Sequence, residues 1–114
     1  SKPLTKAEKL ELGKALFAST CQACHQADGK GIEKAFPPLA KSDYFAADPQ
    51  KIIQVITHGL TGPVTVNGKT FNSVMPKQTL SDNQVASVAT YVLNSFGNKG
   101  GELHAADVAK IRQK

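Results

Sequence analysis

A chain of 114 residues has room for one domain and no separate catalytic module, and five Phe, two Tyr and no Trp are all the aromatic bulk it brings to a core. Its formal charge of +5 comes from thirteen lysines and one arginine against nine acidic residues. These basic residues are scattered along the chain rather than gathered with aromatics, which excludes the usual nucleic-acid binder. No apolar run approaches the roughly 18 residues of a membrane span.

The opening residues, Ser1 to Lys9, lack the apolar stretch of a signal peptide, so the sequence reads as a mature protein, an excised domain or a cytosolic chain. Thr5 and Glu8 then have capping-box spacing and predict a first helix over residues 6–19, with Leu10, Gly13, Leu16 and Phe17 on one face. Gly13 weakens such a helix, and its expected value is to let another helix approach closely.

Both cysteines of the chain fall at the end of this helix, in Cys21-Gln22-Ala23-Cys24-His25. Two thiols at this spacing followed by histidine are the pattern of covalent haem attachment: the thiols add to the two haem vinyl groups and His25 ligates the iron from one face. Three other readings exist for the motif. A thioredoxin-like CxxC belongs at a helix start after a strand, a structural zinc site wants four well-spaced ligands, and a disulfide closing so small a loop adds little stability. An embedded haem would also supply apolar volume that the sequence lacks, and two ionised propionates would bring the charge nearer +3.

Residues 28–48 read as irregular, broken by Gly29, Gly31, Pro37 and Pro38. A ligand histidine needs an acceptor for its second nitrogen, and a backbone carbonyl of this stretch could provide one. A middle helix is expected over 49–58, with Asp48 as N-cap, Pro49 in the first turn and Gly59 past the end; its run of Ile52, Ile53, Val55 and Ile56 suits a pocket wall. Val64 to Phe71, centred on Asn67-Gly68, predicts a hairpin that braces the next loop.

That loop, Asn72-Ser73-Val74-Met75-Pro76-Lys77, holds the chain's single methionine. A thioether as sixth iron ligand favours reduced iron and raises the potential relative to a second histidine, which makes Met75 the candidate. His58, at a helix C-terminus, and His104, in a polar tail near Gly100-Gly101, are the competing ligands. The last long helix is expected over 82–95, with Ser81 and Gln84 as a second capping box and Val85, Val88, Tyr91 and Val92 on the face that meets the first helix. A Gly-rich break at 97–101 precedes a short helical tail at 105–112.

From residue 7 to residue 96 the chain resembles the class I cytochrome c family. The resemblance rests on Gly13 and Phe17, on Cys21 to His25, on Pro37-Pro38-Leu39, on Met75-Pro76 and on Ala89-Thr90-Tyr91. It implies an all-α class I cytochrome c fold over residues 1–114 as a single domain, wrapped around one covalent haem c, with a small β-hairpin before the Met75 loop. It further implies that Gly13 and Phe17 meet Tyr91 at a helix crossing, that the Pro37 carbonyl accepts from His25, and that Leu39 packs on the haem.

The stretches from Val64 to Pro76 and from Leu80 to Asn98, with the tail helix, look like cytochrome domains fused to copper nitrite reductases and those of quinoprotein alcohol dehydrogenases, although Phe96 stands where such relatives commonly have Trp. No copper-site pattern accompanies the motif, so the chain could at most feed electrons to a reductase.

The expected function is therefore one-electron transfer by a monomer outside the cytoplasm. Its partner would be a redox protein, acidic around the docking site, met at a haem edge rimmed by Lys14, Lys30, Lys34 and Lys77. No enzyme activity of its own is expected. The alternative is a haem enzyme or diatomic-ligand sensor with an open or displaceable sixth site.

Overall fold

The computed structural model describes residues 3–33, 35–72 and 74–113. Helix α1 (Lys6–Leu16) starts at Thr5, whose hydroxyl accepts from the Glu8 amide while the Glu8 carboxylate accepts from the Thr5 amide, at 3.1 and 2.8 Å. It does not run on to residue 19 as an α-helix. Phe17–Cys21 forms a π-helical turn, in which the Gln22 amide reaches back five residues to the Phe17 carbonyl, and α2 (Gln22–His25) carries the motif. Such widened turns often mark functional segments.

The stretch expected to be irregular contains one short helix, α3 (Asp43–Ala46), which Ser42 starts by accepting from the Tyr44 amide. A four-residue element leaves too short a pattern for periodicity to register. Helix α4 (Gln50–His58) begins one residue later than expected, because Pro49 stands at the cap position. Asp48 still accepts from the Gln50 amide, at 3.2 Å.

Strands β1 (Pro63–Val66) and β2 (Lys69–Asn72) pair antiparallel, Val64 opposite Phe71, around Asn67 and Gly68 at φ 52° and 82°. These left-handed values are those of the type I′ hairpin that the Asn-Gly pair signals. The turn is docked on α3 by a reciprocal pair: Asn67 Oδ1 accepts from the Asp43 amide at 2.9 Å and Asp43 Oδ1 from the Asn67 amide at 2.8 Å.

Helix α5 (Asp82–Leu93) carries the second capping box, Ser81 with Gln84. Its burial is wider than the single stripe read from the sequence: Ala86, Ser87, Ala89 and Thr90 are buried as well as the valines. The reason is that α5 is packed from two sides, by α1 and by α6 (Ala105–Arg112), with α4 touching both α5 and α6. Ile53 of α4, Val85 of α5 and Val108 of α6 are fully shielded from water, and each such side chain contributes roughly 1.5–3 kcal/mol relative to exposure.

At the α1–α5 crossing a Cβ on Gly13 would lie 2.1 Å from the Ser87 carbonyl oxygen, so glycine is required for the two backbones to come this close. One turn on, the Phe17 ring meets Tyr91 at 5.7 Å and Phe96 at 5.2 Å between centroids, and Tyr91 meets Phe96 edge-on at 5.9 Å. Phe96 thus serves as the aromatic anchor of the crossing.

Candidate haem-binding site

A partly open cavity of about 260 Å³ lies between α2, α4, α5 and the loop after β2, and Cys21, Cys24, His25, Pro37, Leu39 and Met75 all line it. The elements explain the convergence. The π-turn and α2 deliver both cysteines and His25 from the end of α1; Ile52, Val55 and Ile56 of α4 form one wall, and Val88 and Val92 of α5 another.

His25 is buried, and its Nδ1 lies 3.0 Å from the Pro37 carbonyl oxygen. A carbonyl can only accept, so Nδ1 carries the proton and Nε2 keeps its lone pair, the arrangement a metal-ligating imidazole requires. Burial pushes the His25 pKa below its ordinary value, opposed by the bond to Pro37. The half-buried Cys21 thiol is pushed up to about 11, by burial and then by the neighbouring Cys24, so it stays protonated at neutral pH. Cys24 is exposed and neither sulfur is in a disulfide.

Met75 is half-buried and is held through its backbone: Leu60 and Met75 exchange both amide–carbonyl hydrogen bonds, at 2.9 and 2.8 Å. The neighbouring Val74 is 64% exposed at the cavity rim, while Ser73 lies outside the described residues. The competing histidines stand elsewhere. His58 bonds from Nε2 to the Ile111 carbonyl at 3.3 Å, and His104 sits 3.2 Å from the Lys9 ammonium, against α1.

This donor set fits haem: an apolar slot with two thiols on its wall, a tautomer-fixed imidazole and a thioether. The thioredoxin-like reading fails on position, since the motif follows a helix and not a strand. The Cytochrome c family matches the sequence over residues 10–96. The chain belongs to the cytochrome c family.

Cytochromes c of this family carry a covalent c-type haem and transfer electrons, and Cys21, Cys24 and His25 supply the attachment motif. Among the relatives, the cytochrome c subunit of alcohol dehydrogenase (quinone) from Gluconacetobacter polyoxogenes is 36% identical over 104 residues, covering 88% of this chain and 22% of that subunit. This cytochrome thus spans about a fifth of the subunit's length. Cytochrome c-552 of Thermus thermophilus is 34% identical over 112 residues, covering 90% of this chain and 85% of the relative. The CcoP subunit of the cbb3-type cytochrome c oxidase of Azospirillum brasilense is 31% identical, with 87% of this chain and 32% of the relative covered. The first of these belongs to one of the two groups whose domains the sequence resembled.

Two polar side chains on the cytochrome's cavity were not singled out by sequence reasoning. Lys51 and Tyr44 both line it, with the ammonium 5.1 Å from the ring centroid, and they suit the carboxylates that a haem carries. Neither carried a signal in the sequence: Lys51 reads as a solvated lysine of an amphipathic helix, and Tyr44 lies in a stretch without periodicity. Lys14, Lys30 and Lys77 are exposed, as a docking rim requires, and Lys34 lies outside the described residues.

Proposed function

We propose that this cytochrome carries single electrons on one haem c held by His25 and Met75, as a single domain over residues 1–114. The observation that carries the reading is the joint placement of Cys21, Cys24, a His25 whose Nδ1 is occupied by Pro37, and Met75 around one apolar cavity. The haem supplies the reversible one-electron couple. His25 and Met75 would hold the iron between them and leave no site on it for a substrate, and the apolar lining would keep the surroundings dry. Pro37 fixes the His25 ring and Leu60 fixes the Met75 backbone. Leu39, Ile52 and Val88 exclude water from the slot.

The partner is a redox protein met at the exposed rim around Cys24 and Val74, with Lys14, Lys30 and Lys77 steering an acidic surface toward it. The names of the relatives favour a dehydrogenase as electron donor. A copper nitrite reductase as acceptor is the reading that the sequence resemblance added. Covalent haem attachment and the family resemblance support a place outside the cytoplasm, and no helix among the described residues is long and apolar enough to cross a membrane.

An absorption spectrum of the oxidised protein, extended into the far red, tests the ligation. A sulfur-to-iron band is expected, and Met75→Ala should abolish it, lower the reduction potential and tighten imidazole binding to ferric haem by at least about tenfold, the equivalent of about 1.4 kcal/mol of lost competition. A band that survives in Met75→Ala rules out Met75 as the ligand.

A further inference from the structure

Helix α6 lies across the two chain segments that enter and leave the Met75 loop. On the incoming side, His58 donates from Nε2 to the Ile111 carbonyl. The next two residues are the seat of the methionine: Leu60 exchanges two backbone hydrogen bonds with Met75, and a Cβ on Gly59 would stand 2.8 Å from the Met75 carbonyl oxygen. Ile56 accepts from the Gln78 amide at 2.8 Å, closing the same seat from below. On the outgoing side, Arg112 donates from Nε to Asp82 at 2.8 Å and from Nη2 to the Leu80 carbonyl. Ile111, whose carbonyl takes the first of these grips, is itself buried in the core. The last turn of α6 therefore ties residue 58 to residues 80 and 82, the two ends of a span of more than twenty residues that contains the hairpin and Met75.

We propose that Arg112 and His58 are positioning residues for the Met75 thioether, with α6 acting as a clasp that keeps the loop closed over the haem. This inference rests on ligation by Met75. The clasp bonds hold residues 58 and 80–82 together at the base of the loop, next to the Leu60–Met75 and Ile56–Gln78 hydrogen bonds that seat the methionine, and releasing them loosens that seat. A planar guanidinium that bonds a carboxylate and a carbonyl together fixes direction as well as distance. The opposite end of α6 is anchored separately, through Lys9, Glu102 and Leu103, and that anchorage touches neither end of the loop.

The two anchorages separate a specific clasp from general stability. Imidazole titration of the ferric holoprotein reads the ease of displacing the thioether, and the far-red sulfur–iron band reads the bond itself. Arg112→Ala and His58→Ala should each tighten apparent imidazole binding about fivefold, or about 1 kcal/mol, and weaken the band, with Arg112→Lys intermediate. Glu102→Gln, which loosens the far anchorage, should lower the melting temperature without tightening imidazole binding. Equal tightening in Arg112→Ala and Glu102→Gln, or none in Arg112→Ala and His58→Ala, overturns the clasp while leaving the wild-type band, and so the ligation, intact. A wild-type protein without that band overturns the ligation and the clasp with it.

Discussion

Lys9 is 2% exposed, an unusual place for an ammonium, and its three protons meet three acceptors. Glu102 Oε2 lies at 2.7 Å, the Leu103 carbonyl at 2.8 Å and His104 Nδ1 at 3.2 Å. A buried charge is tolerable when it is this fully bonded, and here it pins α1 to the segment between α5 and α6. The hydrogen bond from Lys9 holds the Glu102 carboxyl below its ordinary range against the effect of burial, and the charges of Lys9, His104 and Lys6 add to the lowering. A depressed folded-state pKa means that the contribution is complete above the unfolded value of 4.5 and is lost as pH falls through the folded value. Lys9→Met, which keeps the aliphatic stem but leaves the Leu103 carbonyl without its donor, should lower stability at neutral pH in urea unfolding. The gap between variant and wild type should narrow as pH falls below 4.5. A gap that stays constant into acid would remove the carboxylate from the account. Nothing in the sequence marked Lys9, since its acceptors lie more than ninety residues away and a lysine on an amphipathic helix reads as a solvated residue.

Among the elements, the α1–α5 crossing is the most extensive contact and depends on one missing side chain. Replacing Gly13 by Ala would gain about 1 kcal/mol of helix propensity yet place a methyl 2.1 Å from the Ser87 carbonyl oxygen and 2.7 Å from the Tyr91 Cβ. Both neighbours are rigid, so the helices must separate, and overpacking of this kind costs about 1–3 kcal/mol. A net loss of stability in chemical denaturation is expected for Gly13→Ala, and a gain would show that the crossing relaxes freely. Features this local were legible in the sequence: two capping boxes, the Asn-Gly turn, the glycine at the crossing and the cysteine-histidine motif each carry their own short-range signal. The π-turn at Phe17–Cys21 and the short helix Asp43–Ala46 were not legible. One differs from an α-helix only in where its amides point, and the other is secured by Asn67, 24 residues away. In the site, Cys21, Cys24, His25 and Met75 are types whose chemistry is rare enough to stand out, whereas Lys51 and Tyr44 acquire meaning only when the cavity is seen.

At the scale of the whole molecule, the cavity lies where a core would otherwise be. Without its occupant, the cavity of about 260 Å³ would open the apolar side chains that line it to water, a loss that a small domain of marginal stability can ill sustain. The haem is therefore part of the fold as well as its redox group. The packing is uneven, however: α1, α5 and α6 share contacts remote from the cavity, around Val85, Val108 and the Lys9 anchorage, whereas the hairpin and the Met75 loop close chiefly over the cavity. Replacing Cys21 and Cys24 together by Ala should abolish covalent attachment and give acid-extractable or absent haem. In haem-free chains of that variant, near-UV circular dichroism should collapse while part of the helical far-UV signal survives, the behaviour of a state that has lost fixed packing. Hydrogen exchange should then find residual protection in α1, α5 and α6 and little in β1, β2 or residues 60–80. Uniform loss of protection would mean that the three-helix contact has no stability of its own, and uniform retention would mean that the cavity closes without its cofactor.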